Sequence, residues 1–262
     1  MADALAFVRA ATRLTLIVVL TALFVPPVLA LKGLRGRSPR WLIIWWYRLV
    51  RRICGMRVHV HGQPARHRPM LFVANHISHM DIIVLAAVLD AAFVAKADIA
   101  GWPVVGWISW LCDVVFVERR ASQAGKQRLT LTERLQRGDR LILFAEGTST
   151  DGTRVLPFKS ALFAVARDGQ DGAAIPVQPV TVAYRSNPAD PPAHSVYAWY
   201  GDMTFAPHFW QVLRLPGGTV DLTFHPLLSL DTLGSRKALA ARAHELVASA
   251  LPAHKKGRRR AA

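Results

Sequence analysis

The chain has 262 residues, enough to bury one sizeable core, and 52% of them are hydrophobic while only 19% are charged. Its formal net charge of +16 suits a protein on an anionic membrane face. Nucleic-acid binding is disfavoured, because the basic residues are not interleaved with exposed-looking aromatic residues along any one stretch. The two cysteines, Cys54 and Cys112, are too few and too far apart for a disulfide framework or a metal-binding spacing.

The first predicted element is an uncharged apolar segment over residues 14–31. Its length is at the short end for a bilayer span, and Pro26 and Pro27 would kink or break a helix there. Basic residues are more numerous after the segment than before it, so the positive-inside rule places the rest of the chain on the cytoplasmic side. A surface-lying or re-entrant hairpin, a cleaved signal peptide and the buried helical hairpin of a soluble protein are the alternatives.

An aromatic run at residues 41–47 follows a basic connector and predicts an interfacial anchor. We therefore expect a membrane anchor with a basic interfacial segment over residues 1–54 and a catalytic domain over residues 55–252. Residues 253–262 form a basic tail, either a solvated extension that touches lipid headgroups or a disordered end.

Beyond residue 55, short apolar runs alternate with helical patterns. Strands are predicted at 56–61, 70–74, 91–95, 114–117, 141–145 and 220–224. A helix capped by Ser122 and ended by Gly138 is predicted before the fifth strand, and a closing helix over residues 233–251. The run 173–184 contains two prolines, which predicts an edge or irregular strand. The alternation predicts an α/β fold with a mixed, mostly parallel sheet and flanking helices, preceded by the membrane-anchoring helical segment.

The most informative segment is the strand at 70–74 together with the residues that follow it. The strand delivers Asn75 and His76 to its carboxyl end, where open α/β sheets place their sites. If the chain then turns into a helix, Asp81 can fold back to the imidazole, fix its tautomer and stabilise the imidazolium. No serine or cysteine nucleophile is paired with His76. The pair therefore predicts a general base that activates an acceptor hydroxyl.

This Asn-His-x4-Asp pattern resembles the first motif of the glycerolipid acyltransferase family, which includes the bacterial 1-acylglycerol-3-phosphate acyltransferases. Three further blocks follow in the family's order, at residues 116–119 (FVER), 144–148 (FAEGT) and 175–180 (IPVQPV). A Leu-Pro-Phe-Lys segment at 156–159 also matches. The resemblance covers roughly residues 55 to 185.

The resemblance implies that His76 and Asp81 are catalytic and that Arg119 holds the phosphate of the acceptor. The residues expected to bind substrate are Asn75, Lys96, Arg119, Glu146, Gly147, Thr148 and Lys159. Glycine lets the backbone approach an anion closely, and the basic side chains supply charge. We expect no metal and no resident cofactor. The co-substrate is acyl-CoA or acyl-carrier protein, and the other partners are the lysolipid acceptor and membrane phospholipids, without nucleic acid.

The implied reaction is O-acylation of a lysolipid hydroxyl, with conversion of 1-acyl-sn-glycerol-3-phosphate to phosphatidic acid as the first expectation. Two residues depart from the family's pattern: Ser149 stands where the third motif usually continues with arginine, and Asp113 where glycine precedes the second. The sequence around Ser149 resembles that of a bacterial branch of the family that acylates lyso-ornithine lipid, an acceptor without a phosphate group. Lyso-ornithine lipid is therefore the alternative to 1-acyl-sn-glycerol-3-phosphate as the acceptor. Arg154 could instead supply the positive charge that Ser149 lacks.

Two functions of a different class remain. His76, His79 and Asp81 could ligate a metal in a lipid hydrolase. The net charge of +16 would also suit a non-enzymatic membrane binder, which leaves the His76 and Asp81 pattern unexplained. The expected location is the bacterial inner membrane, with the catalytic domain on the cytoplasmic face.

Overall fold

In the computed structural model, residues 2–117, 124–167, 169, 172–185 and 196–251 are described. The strands are β1 (Met56–His61), β2 (Met70–Ala74), β3 (Ala92–Lys96), β4 (Val115–Val117), β5 (Arg140–Phe144), β6 (Val177–Tyr184) and β7 (Gly218–Phe224). They form one sheet in the order β1-β7-β6-β2-β5-β3-β4, parallel except between β6 and β7. This confirms the predicted mixed, mostly parallel α/β sheet, and the first five predicted strands have the right bounds to within one residue.

The helices are α1 (Ala2–Arg35), α2 (Arg40–Ile53), α3 (Met80–Ala86), α4 (Val105–Leu111), α5 (Ala124–Gln136), α6 (Phe205–Arg214), α7 (Leu230–Leu233) and α8 (Arg236–Ser249). Turns of 3₁₀ helix lie at Ala97–Gly101 and Ser160–Arg167. The sheet separates two apolar layers, as expected for strands that are buried on both faces. One layer contains residues of α1, α2, α3 and α6, and the other contains residues of α5, α8 and the turn at Ser160–Arg167.

Strand β6 is not an edge strand, contrary to the sequence expectation, but lies between β2 and β7 with every residue buried. Pro179 has no N–H for the ladder with the neighbouring strand. The backbone N–H of His225 donates to the carbonyl of Pro179 at 3.0 Å, and the return bond comes from a side chain: Nε2 of Gln178 donates to the carbonyl of His225 at 3.0 Å. A side-chain amide thus replaces the missing N–H and makes a proline tolerable in the centre of the sheet.

Helix α1 runs through Pro26 and Pro27, so the expected interruption of the helix is not found. Proline already has a helical φ, and the helix continues although each proline lacks an N–H group to donate and its ring crowds the carbonyl four residues earlier. Among the described residues, α1 is the one helix long and apolar enough to cross a membrane, and 6% of its most apolar 18-residue window is buried.

Both ends of α1 are fixed to the domain. Near its start, Arg9 donates to the carbonyl of Arg214 at 2.8 Å and Arg13 donates to the carbonyl of Leu215 at 2.6 Å. These guanidinium groups therefore satisfy carbonyls at the carboxyl end of α6, where a helix has no internal donors left. Near its end, Lys32 donates to the carbonyl of Trp110 at 2.8 Å, in the last turn of α4.

Candidate active site

The predicted catalytic residues lie at the carboxyl edge of the sheet. His76 follows β2, which pairs in parallel with both β5 and β6. The carboxyl ends of these three central strands therefore meet at one edge, which brings residues distant in sequence around the imidazole.

The carboxylate of Asp81 holds His76 through a short turn. Its Oδ2 atom lies 2.8 Å from Nδ1 of His76 and accepts from the backbone N–H groups of Ile77 at 2.7 Å and Ser78 at 2.9 Å. The same atom thus orders the backbone of the turn and orients the ring at its start. Because Nδ1 donates to a carboxylate, Nε2 is the nitrogen that is left to accept a proton from a substrate.

The imidazole ring of His76 also has a flat support. It stacks on Phe144, with ring centroids 3.9 Å apart and an interplanar angle of 16°. Phe144 in turn stacks on Phe93 of β3. The His76 side chain remains 16% exposed, so the supported ring can still be reached from solvent or from a bound substrate.

Asn75 and Glu146 were predicted to bind substrate, but both side chains are buried and bonded to the backbone. The Asn75 amide donates to the carbonyl of Val182 at 2.9 Å and accepts from its N–H at 2.8 Å, which ties β2 to β6. Glu146 accepts from the N–H of His76 at 2.8 Å and from the N–H of Leu156 at 2.7 Å. These contacts indicate that both residues position the loop that carries His76.

The carboxyl group of Glu146 has an unusual environment. Burial raises its pKa to about 7, against the opposing effect of the two backbone N–H donors, Leu156 and His76. The nearby carboxylate of Asp81 also raises the pKa. A charge at Glu146 is therefore costly, and the two backbone donors are what make it tolerable.

Other predicted binding residues meet beside this loop. Gly147 has φ +75°, and a Cβ at that position would lie 2.6 Å from Nζ of Lys159, so the ammonium group rests against the glycine. Lys159 and Thr148 are exposed, and Lys96 is half-buried at the end of β3. Arg119, Ser122 and the tail at 253–262 lie outside the described residues.

His79, proposed above as a possible metal ligand, faces another partner. Its Nε2 lies 2.9 Å from Nδ1 of His208 in α6. Burial lowers the pKa of His79 to about 3, helped by the neighbouring His208 and His76. Within the described ranges, no group of three or more His, Cys, Asp or Glu side chains is placed to hold a metal ion. The geometry thus gives no support to the metal-dependent hydrolase.

Tyr184 is a site residue that the sequence did not reveal. It ends β6, is buried, and donates from its hydroxyl to Oδ1 of Asp81 at 2.7 Å. Burial and the adjacent Asp81 carboxylate raise the pKa of Tyr184 well above its usual value, so the hydroxyl keeps its proton as a donor. The carboxylate therefore accepts four hydrogen bonds, one of them from a residue 103 positions away.

Replacing Tyr184 with phenylalanine is expected to reduce kcat by about 10-fold while KM changes less than about 2-fold, because a hydrogen bond to a charged group is lost without any contact to substrate. Steady-state kinetics on the full chain would measure this. Tyr197→Phe is the matched control, since Tyr197 stacks on Tyr184 but is not one of the four residues that donate to Asp81 in the described part of the chain. Equal kcat in the parent and Tyr184→Phe would contradict the positioning role.

Comparisons with known proteins agree on one family. A family model described as Acyltransferase matches residues 57–183. The lyso-ornithine lipid O-acyltransferase of Rhizobium meliloti is 34% identical over 98% of this chain and 90% of its own length. That of Rhodobacter capsulatus is 38% identical over 78% and 74%. The 1-acyl-sn-glycerol-3-phosphate acyltransferase of Neisseria gonorrhoeae is 31% identical over 62% of each chain.

A solved structure shows the same fold. The crystal structure of the 1-acyl-sn-glycerophosphate acyltransferase from Thermotoga maritima superposes with a TM-score of 0.67 over 95% of both chains, at 20% sequence identity. The relatives together confirm the resemblance drawn from the four sequence motifs.

Proposed function

The chain belongs to the acyltransferase family, and from that premise we propose that it moves a fatty acyl group from an acyl thioester to the free hydroxyl of a lysolipid. The observation that carries this proposal is the His76 and Asp81 pair at the carboxyl edge of the sheet. The Nδ1 atom of His76 lies 2.8 Å from a carboxylate oxygen, which leaves Nε2 for the acceptor.

In the proposed reaction His76 is the general base. Nε2 takes the proton of the acceptor hydroxyl while that oxygen forms a bond to the thioester carbonyl carbon. Asp81 stabilises the imidazolium that results. When the carbon–sulfur bond breaks, the thiolate leaves with the proton from Nε2, so the imidazole is regenerated and no acyl-enzyme forms.

The donor in this proposal is acyl-CoA or acyl-carrier protein. Both deliver a thioester, and the reaction needs no resident cofactor or metal. The net charge of +16 would attract either the phosphates of coenzyme A or an acidic carrier protein at low salt.

Two acceptors fit the reaction. The four motifs favour 1-acyl-sn-glycerol-3-phosphate, the acceptor of the family members whose second motif carries an arginine like Arg119. Two observations favour lyso-ornithine lipid: Ser149 replaces the arginine usual in phosphatidic-acid-forming members, and the relatives with that activity are more similar over a greater share of the chain. We therefore propose lyso-ornithine lipid as the preferred acceptor of the two.

When both acceptors are offered to the purified full chain with a labelled acyl thioester, we expect diacyl product with a higher kcat/KM for lyso-ornithine lipid. Ser149→Arg should shift the ratio about 10-fold toward the phosphorylated acceptor, because it restores a charged hydrogen-bond donor. Ser149→Gln, of intermediate length and without charge, is the control. A parent that prefers the phosphorylated acceptor would contradict the proposed preference alone, whereas no product from either acceptor would contradict the function.

The proposed location is the cytoplasmic face of the bacterial inner membrane. The apolar helix α1 supplies membrane affinity, and the basic residues that follow it favour the cytoplasmic side. Fractionation of cells that express the chain tests the membrane location. Protease treatment of inverted and right-side-out vesicles tests which face carries the domain. Digestion of the domain only in inverted vesicles is the expected outcome.

A further inference from the structure

A cavity of about 240 Å³ lies at the end of the sheet opposite His76. Its ionisable lining residues are Arg37, Arg40, Arg68, Arg134, Arg140, Asp90, Asp113 and Asp139. Arg140 begins β5 and Arg68 shortly precedes β2, whereas His76 follows the carboxyl end of β2. Because a five-residue strand spans about 16 Å, this cavity is separate from the candidate active site.

Positive charge exceeds negative charge around this cavity. Asp90 is shared by Arg40, Arg68 and Arg140, and Asp139 is shared by Arg37 and Arg134. The third carboxylate, Asp113, pairs with Lys32 at 2.8 Å. Among the described residues, six cations thus surround three carboxylates.

The two shared carboxylates are ionised, so this count of charges holds at neutral pH. Burial alone would raise the pKa of Asp90, but hydrogen bonds from Arg140 and Arg40 lower it below its ordinary value. The pKa of Asp139 is lowered in the same way, by Arg134 and Arg37. The cavity therefore keeps an uncompensated positive charge.

Two further features of the cavity favour an anion. The Nε atom of Arg140 is buried and has no hydrogen-bond partner in the part of the chain that the structure describes, although buried donors are nearly always paired. Helix α2, 14 residues long, begins at the cavity with Arg40, and a helix amino terminus carries partial positive charge. Both features belong to residues that line the cavity, Arg140 and Arg40.

We propose that this cavity binds a phosphate group. Guanidinium groups recognise phosphate oxygens through paired hydrogen bonds, and five of them line the space. The cavity also lies beside exposed tryptophans: Trp41 follows Arg40 and is 57% exposed, and Trp110, which is 49% exposed, has Nζ of Lys32 4.1 Å from its ring centroid. Tryptophan favours the headgroup level of a membrane, which supports an anionic phospholipid headgroup as the source of the phosphate. Inorganic phosphate in solution is the other source with the same chemistry.

Two exposed arginines that line the cavity can be changed while every carboxylate keeps at least one cationic partner. Arg37 and Arg68 are 56% and 49% exposed. Without them, Asp139 keeps Arg134, and Asp90 keeps Arg40 and Arg140. The test variant is therefore the double substitution Arg37→Gln and Arg68→Gln. Arg137→Gln is the control, because Arg137 is an exposed arginine that is not among the residues lining the cavity and that pairs only loosely with Glu133, at 3.8 Å.

The experiment measures the Tm of the full chain in an uncharged detergent while sodium chloride is replaced by inorganic phosphate at constant ionic strength. A saturable rise of about 5 °C or more is expected at a phosphate concentration 100-fold above Kd. The rise should persist in Arg137→Gln and be lost in the double variant. A second arm compares vesicles of phosphatidylcholine with vesicles that also contain phosphatidylglycerol, and measures Tm and binding in each.

Each result decides the proposal. A response to phosphatidylglycerol that disappears in the double variant identifies the headgroup as the source, and a response to inorganic phosphate alone identifies the free ion. Identical responses of the parent and the double variant, or no response to either probe, would refute the proposed phosphate site. The arginines would then serve only to link α2, α5 and the sheet through salt bridges. Acyl transfer does not enter either readout, so failure of the proposed reaction leaves this test intact.

Discussion

Replacing His76 with alanine is expected to lower kcat by about 10²–10⁴-fold, the contribution of a general base. In the proposed reaction the imidazole ring is the group that takes the proton of the acceptor hydroxyl. KM should change little, because His76 meets the reacting hydroxyl rather than the remote parts of either substrate. The assay is formation of diacyl lipid by the purified full chain under saturating donor and acceptor.

His67→Ala is the matched control for this substitution. His67 is an exposed histidine at the other end of the sheet, on the loop before β2, so its removal should leave kcat unchanged. Parent-like activity in His76→Ala would refute the proposed mechanism. Circular dichroism and Tm of the variant would show that a loss of activity does not come from unfolding.

Asp81→Asn is expected to lower kcat by about 10³-fold while it largely preserves the geometry. The amide oxygen can take the place of Oδ2 and still accept from the ring of His76 and from the two turn amides. The amide nitrogen can then donate to the hydroxyl of Tyr184, which is able to reverse its role. What is lost is the negative charge that stabilises the imidazolium.

The double variant Asp81→Asn with Tyr184→Phe makes this prediction sharper. If Tyr184 acts only through the Asp81 carboxylate, its substitution should cost less in the Asp81→Asn background than in the parent. Asp221→Asn, which changes a carboxylate paired with Arg185 and His61, should leave kcat unchanged. Full additivity of the two substitutions would show that Tyr184 acts by another route.

Local pattern was enough to predict the strand that carries His76 and the contact with Asp81. The run at 70–74 is apolar throughout, and the residues of the turn lie within five positions of each other, so one short segment contains both partners. The same reasoning placed Glu146 beside the site. It did not predict that two backbone amides occupy its carboxylate, because one of them belongs to Leu156 on the far side of a loop.

The features that were missed depend on pairing between distant segments. Tyr184 reaches Asp81 only because β6 lies beside β2, and that position was hidden by prolines that suggested an edge strand. Gln178 makes the central position possible through a side-chain bond to His225. No pattern of local hydrophobicity reports such a bond. Sequence therefore predicted the elements and the contact between His76 and Asp81 better than the residues that support them.

The attachment of α1 to the domain at both of its ends has a practical consequence for anyone who wishes to handle this enzyme in water. Ala10 is fully buried and Ile17 and Leu20 pack on the same apolar layer, so deleting the helix would uncover part of the core. It would also leave the last carbonyls of α6 without the guanidinium groups that bind them. Helix α1 is thus part of the folded domain, and a chain from which α1 has been deleted should aggregate.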